Sequence, residues 1–189
     1  MELTLPAASS PGQDPSAVWS LQLQLLELAE GVLGPRDGSR VMHQPVFADA
    51  GPNIRNTPSL DGAFAELSRS AEAYWPTAVY ELAHETVHLL NPLPGNGNWL
   101  SEGIAVAFSD HAQRCHGMEP QKVGMASYRR AQELVSELPP DPLTAARRIR
   151  NACGSLEIAT RCILEKLFPS VDPTILAQLC EPFERDWAK

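Results

Sequence analysis

The segment that most constrains this chain is His84-Glu85-Thr86-Val87-His88. Residues i and i+4 of an α-helix lie on one face about 6 Å apart, so two imidazoles at this spacing can bind one metal ion. The intervening Glu85 stands about 100° round the helix from His84, within reach of water held by that ion. The flanking residues support a helix over 76–90. Val79, Leu82, Ala83, Thr86, Leu89 and Leu90 fall on one mostly apolar arc, suited to a core. Tyr80, His84, His88 and Asn91 share the other arc.

Two histidines leave a zinc site short of a third protein ligand, with a fourth position for water. Between His88 and His111 the acidic residues are Glu102 and Asp110. The segment 91–98 (NPLPGNGN) is a turn, and Asn98 is suited to cap a helix from Trp99 to about Arg114. Glu102 falls in the first turn of that helix, where the chain can fold back across the first one, and Gly103 admits another backbone close by. Asp110, two turns on, suits a supporting acid. His111 and His116 are rival ligands, so the choice among these four stays open on spacing alone.

HETVH followed by Asn98-Trp99-Leu100-Ser101-Glu102-Gly103-Ile104-Ala105 resembles the gluzincin metallopeptidases over 76–109. In that family a Glu on the helix after HExxH completes the zinc site, often in a W-L-x-E-G-x-A setting. The resemblance implies His84, His88 and Glu102 as ligands of Zn2+, Glu85 as general base, and a zincin-like metallopeptidase core. Family members commonly carry an edge strand before the motif helix, on which substrate backbone pairs; 51–58 (GPNIRNTP) is the segment for it here. The pattern departs from the thermolysin branch: Val106 stands where that branch has Asp, and the gap from His88 to Glu102 is shorter. An oxyanion-stabilising Tyr or His is also expected. Tyr128, on a separate downstream helix, is the candidate, with His116 as the alternative; Tyr80, one turn before His84, suits support of the site more than contact with substrate. Trp75, Trp99 and Phe108 read as core walls around the motif, and His43 as a half-buried strand residue.

The remaining sequence bounds the molecule around this site. At 189 residues it suits one compact domain, read as a flexible arm over 1–13 and a single domain over 14–189. Three Asp-Pro pairs, Asp14-Pro15, Asp141-Pro142 and Asp172-Pro173, predict helix starts at 15, 142 and 173, with Asp capping and Pro at the first position. The first helix should run to about Leu33 and stop at Gly34. Arg40 to Ala48 has strand character, with Pro45 marking an edge, and 51–58 reads as a second extended piece. Ser59 to Ala73, Gln121 to Leu138 and Ser155 to Leu167 read as further helices. Arg147, Arg148 and Arg150 read as a solvated basic face. The expected class is α+β and helix-rich, with a small N-terminal sheet and a C-terminal helical subdomain.

Charge and cysteines narrow the function. With 15 Lys+Arg against 23 Asp+Glu the net charge is −8, which argues against a nucleic-acid or anionic-membrane partner. No apolar run reaches the roughly 18 residues of a membrane span, and the first residues lack the basic and apolar regions of a secretory signal. Cys115, Cys153, Cys162 and Cys180 match no paired zinc or redox spacing, so reduced thiols and a cytoplasmic location are expected. The reading is a zinc-dependent hydrolase acting on a peptide or protein substrate. The alternative is a non-catalytic or regulatory zinc-binding domain. Deformylase-type chemistry ranks last, because those enzymes resemble one another around a Cys ligand and no Cys precedes this motif.

Overall fold

The computed structural model describes residues 9–95 and 97–186. It is helix-rich with a small, largely parallel sheet, so the class is α+β. The elements in order are α1 (Pro15–Leu33), β1 (Val41–Met42), β2 (Val46–Phe47), β3 (Asn53–Asn56), β4 (Gly62–Leu67), α2 (Arg69–Ala73), α3 (Trp75–Leu89), α4 (Trp99–Cys115), α5 (Ala126–Ser136), α6 (Pro142–Cys153), α7 (Arg161–Leu167) and α8 (Pro173–Leu179). Contacts divide the chain into two compact units. The first comprises Met1–Gly31, Pro35–Leu93 and Phe108–Gln121; the second Val32–Gly34, Pro94–Ala107 and Lys122–Lys189. The boundary falls inside α4, which is one continuous helix.

In the first unit, β4 is the hub of the sheet. β3 pairs with it antiparallel from Asn53↔Glu66 to Asn56↔Ala63. β1 and β2 pair with it parallel, at Val41↔Gly62 and Val46↔Glu66. Because Ala63 and Glu66 already face β3 on one side, β1 and β2 must share the other edge. Three residues, His43, Gln44 and Pro45, oppose two on β4 there, so the edge bulges where Pro45 has no N–H to give. His43 is exposed rather than half-buried. Ala63, Ala65 and Leu67 point into the core, as do Ala78, Val79, Leu82, Ala83 and Val87 of α3 and Val18, Leu21, Leu25 and Ala29 of α1. A buried hydrogen bond ties α1 to α3: Gln22 Nε2 donates to Thr86 Oγ1 at 2.8 Å, and that hydroxyl donates to Leu82 O.

Of the N-terminal arm, residues 1–8 lie outside the described residues. Pro11–Gln13 forms a 3-10 turn with Pro11 buried, and Trp75 Nε1 donates to Ser9 O at 2.7 Å.

The second unit is helical. Leu100, Ile104 and Ala105 of α4, Ala131, Leu134 and Val135 of α5, Ala145, Ala146 and Ile149 of α6, and Leu164, Leu176 and Leu179 are among its buried residues. A Cβ built on Gly103 would meet Ala131 O at 2.4 Å, so the α4 and α5 backbones touch where only glycine fits. Arg150 departs from the expected solvated face. It is buried, and its Nη1 donates to Leu33 O and Gly34 O at 2.8 and 2.7 Å, satisfying carbonyls at the end of α1.

Each Asp-Pro helix start is where the sequence puts it. Asp14 accepts from Ala17 N, Asp141 from Thr144 N and Asp172 from Thr174 N. Three other expectations fail. Ser59 to Ala73 is not one helix: Gly62–Leu67 is a strand and only Arg69–Ala73 is helical. Its alanines favour a helix, yet burial alternates with period 2, and the Thr57–Asp61 turn, with Leu60 at φ 57°, returns the chain antiparallel. The helix expected from Gln121 begins at Ala126, and the one expected from Ser155 begins at Arg161 after a turn closed by Ser155 Oγ donating to Glu157.

Candidate metal centre

The motif histidines sit on α3, whose N-cap is Tyr74 and whose second residue is Pro76. Their ring centroids are 5.3 Å apart, as the i, i+4 spacing requires. His84 and Glu85 are buried and His88 is partly exposed. Behind them Leu82, Ala83, Thr86 and Val87 face the core, which fixes the rotation of the helix.

α4 lies antiparallel to α3. Within the first unit, Ser109 Oγ donates to Tyr80 O at 3.1 Å and Gln113 Nε2 donates to Pro76 O at 3.1 Å. Moving back along α4 therefore means moving forward along α3. One ligand atom from each of His84, His88 and Glu102 lies within 4.8 Å of the others. Donors about 2.0–2.2 Å from a single tetrahedral ion stand about 3.4 Å apart, so the cluster has the span for one ion. Two imidazoles and one carboxylate also form the donor set of an open zinc site, which leaves a coordination position for water. Among the described residues this is the group of three or more His, Cys, Asp or Glu so placed.

The first turn of α4 is held firmly. Asn98 Oδ1 accepts from Ser101 N at 2.8 Å, Asn98 N donates to Ser101 Oγ, and Asn98 O accepts from Glu102 N at 3.2 Å. Asn98 Nδ2 donates to Leu156 O at 3.0 Å. Gly97 lies directly against the Glu102 side chain: a Cβ there would be 2.8 Å from Glu102 Oε1. Neither this wall nor its role is evident from the sequence, where Gly97 reads only as part of a turn.

His111, His116 and Asp110 are not in the group of three found among the described residues. His111 Nε2 faces Cys115 Sγ at 3.6 Å, and its ring lies 6.3 Å from that of Phe108. Burial, with Arg114 nearby, lowers its pKa. Burial also lowers that of His116, whose ring nitrogens have no hydrogen-bond partner among the described residues. Tyr128, on α5, stacks against Phe183 with centroids 4.9 Å apart, and its hydroxyl accepts from Arg185 Nη2.

Compared with models of protein families, with curated proteins and with solved structures, the chain matches none.

Proposed function

We propose that this chain is a zinc-dependent metallopeptidase of gluzincin type, with a zincin-like core. In this reading His84, His88 and Glu102 hold one Zn2+ and Glu85 is the general base. The observation that carries the reading is the convergence of the three donors to within 4.8 Å, with the Glu85 carboxyl group on the same helix. When bound, zinc supplies a Lewis acid that brings the pKa of water towards about 7 and polarises a carbonyl.

The protein's own residues do the rest. α3 and α4 orient the ligands. Glu85 takes a proton from the attacking water at a carboxylate oxygen and passes it to the leaving amine. The 3% exposure of Glu85 supports this role, since electrostatic interactions are stronger away from bulk water. Tyr128 is carried as the oxyanion donor. β3, which pairs antiparallel with β4, is the strand proposed to align a peptide or protein substrate. No described helix is long and apolar enough to cross a membrane. The four thiols are unpaired, which suits the reducing cytoplasm proposed here.

The test is Glu85→Gln. The parent chain should carry about one zinc and cleave peptides, and the variant should keep its zinc and lose cleavage by at least a hundredfold. Equal zinc and equal cleavage in both would overturn the catalytic role. Stoichiometric zinc in a parent chain that cleaves no peptide would favour the non-catalytic zinc-binding domain.

A further inference from the structure

The last described residues of the second unit, Glu181 to Asp186, are neither helix nor part of the sheet. This segment runs along the loop just before α4. Trp99 N donates to Glu181 O at 3.2 Å, Phe183 N donates to Gly97 O at 2.9 Å, and Asn98 and Pro182 form an antiparallel bridge between them. Side chains fasten it further. The Phe183 ring lies edge-on to Trp99, centroids 5.0 Å apart, and tilted against Tyr128, centroids 4.9 Å apart. The Asp186 carboxylate accepts from Ala126 N and Ser127 N, at 3.0 and 2.9 Å, and from Ser127 Oγ.

The three residues so clasped are those that place Glu102. Gly97 confines its carboxylate, Asn98 caps its turn, and Trp99 begins its helix. We propose that the segment 181–186 is a positioning strap for the third metal ligand. Holding Gly97–Trp99 to a fixed backbone limits where the Glu102 carboxylate can sit, so metal affinity depends on residues some 80 positions away in sequence. Phe183 and Asp186 act through Glu102 and touch no reacting atom. Supporting groups that orient a metal ligand typically contribute 10–100-fold in affinity. This inference rests on the zinc site proposed above.

The experiment is a zinc titration of the full chain against a chromophoric chelator, with folding followed by circular dichroism. Phe183→Ala with Asp186→Ala should weaken zinc binding about tenfold. The same pair placed in a Glu102→Ala background should cause no further loss, because the coupling runs through that carboxylate. Phe183→Tyr, which keeps the ring, should bind as the parent does. Should the double variant fail to fold, Asp186→Asn, which keeps size and ring contacts, should show a smaller loss in the same direction, again absent without Glu102. Unchanged affinity, or an equal loss with and without Glu102, overturns the strap alone. A parent chain that binds no zinc overturns the site and the strap together.

Discussion

The Gly97 backbone lies against the Glu102 carboxylate so closely that a methyl group on Gly97 would stand 2.8 Å from Oε1 and 2.7 Å from Ser101 Oγ. Glu102 Oε1 ends a long side chain that can turn away, whereas Ser101 Oγ is buried and holds Asn98 N and Asn98 O. The cost of displacing them should therefore appear in both stability and ligand geometry. Gly97→Ala should lower the unfolding free energy measured in urea by about 1 kcal/mol, the cost of disturbing one hydrogen bond of the Asn98 cap. Zinc affinity should fall roughly tenfold, the cost typical of a disturbed supporting group. Chelator competition on the folded variant reads the second effect.

Gly103 presents a stricter case. Its missing Cβ is occupied by backbone, Ala131 O at 2.4 Å, which no rotamer change relieves. Gly103→Ala should destabilise the protein by about 1–3 kcal/mol, the usual cost of overpacking. Chemical denaturation without metal measures it.

Thr86 and Gln22 differ in what each leaves behind when replaced. Thr86→Val removes the acceptor of a fully buried amide and should cost about 1–3 kcal/mol. Gln22→Leu leaves the Thr86 hydroxyl donating to Leu82 O, so its cost should be smaller. Combining the two should recover most of the Thr86→Val loss, which a double-mutant cycle by urea denaturation will show.

Asp141 gives a pH-dependent term. The Thr144 backbone N–H, and then its side chain, hold the Asp141 carboxyl below its ordinary value. The folded pKa is depressed, so this contribution is complete above the unfolded value of about 4 and disappears as pH falls through the folded one. Asp141→Asn should retain the cap at neutral pH and remove this share of the acid sensitivity. Asp141→Ala should cost about 1 kcal/mol at pH 7. Urea midpoints compared between pH 7 and pH 3 check both signs.

The sequence exposes the parts of this fold that depend on local chemistry. Asp-Pro starts, the Asn98 cap and the i, i+4 histidines each satisfy their own geometry within a few residues, so the helices bearing the candidate site are legible. β4 is not, because Ala63 and Ala65 conceal a period of two behind residues that favour helices; pairing on both sides decides it. Met125 as the N-cap of α5 and the turn after Gly154 are likewise settled by tertiary contacts. The strap is invisible for the same reason: Phe183 and Asp186 gain meaning only from Trp99, Tyr128 and Ser127, more than fifty residues earlier.

His84, His88 and Glu102 are proposed to hold one zinc ion together. Crystals of the zinc-loaded protein, with data collected on both sides of the zinc absorption edge, test this most directly. One anomalous peak per chain is expected, about 2.0–2.2 Å from a nitrogen of each histidine and from a Glu102 oxygen. A peak held elsewhere, at His111 and Cys115 for instance, or none at those three residues, would contradict the proposal.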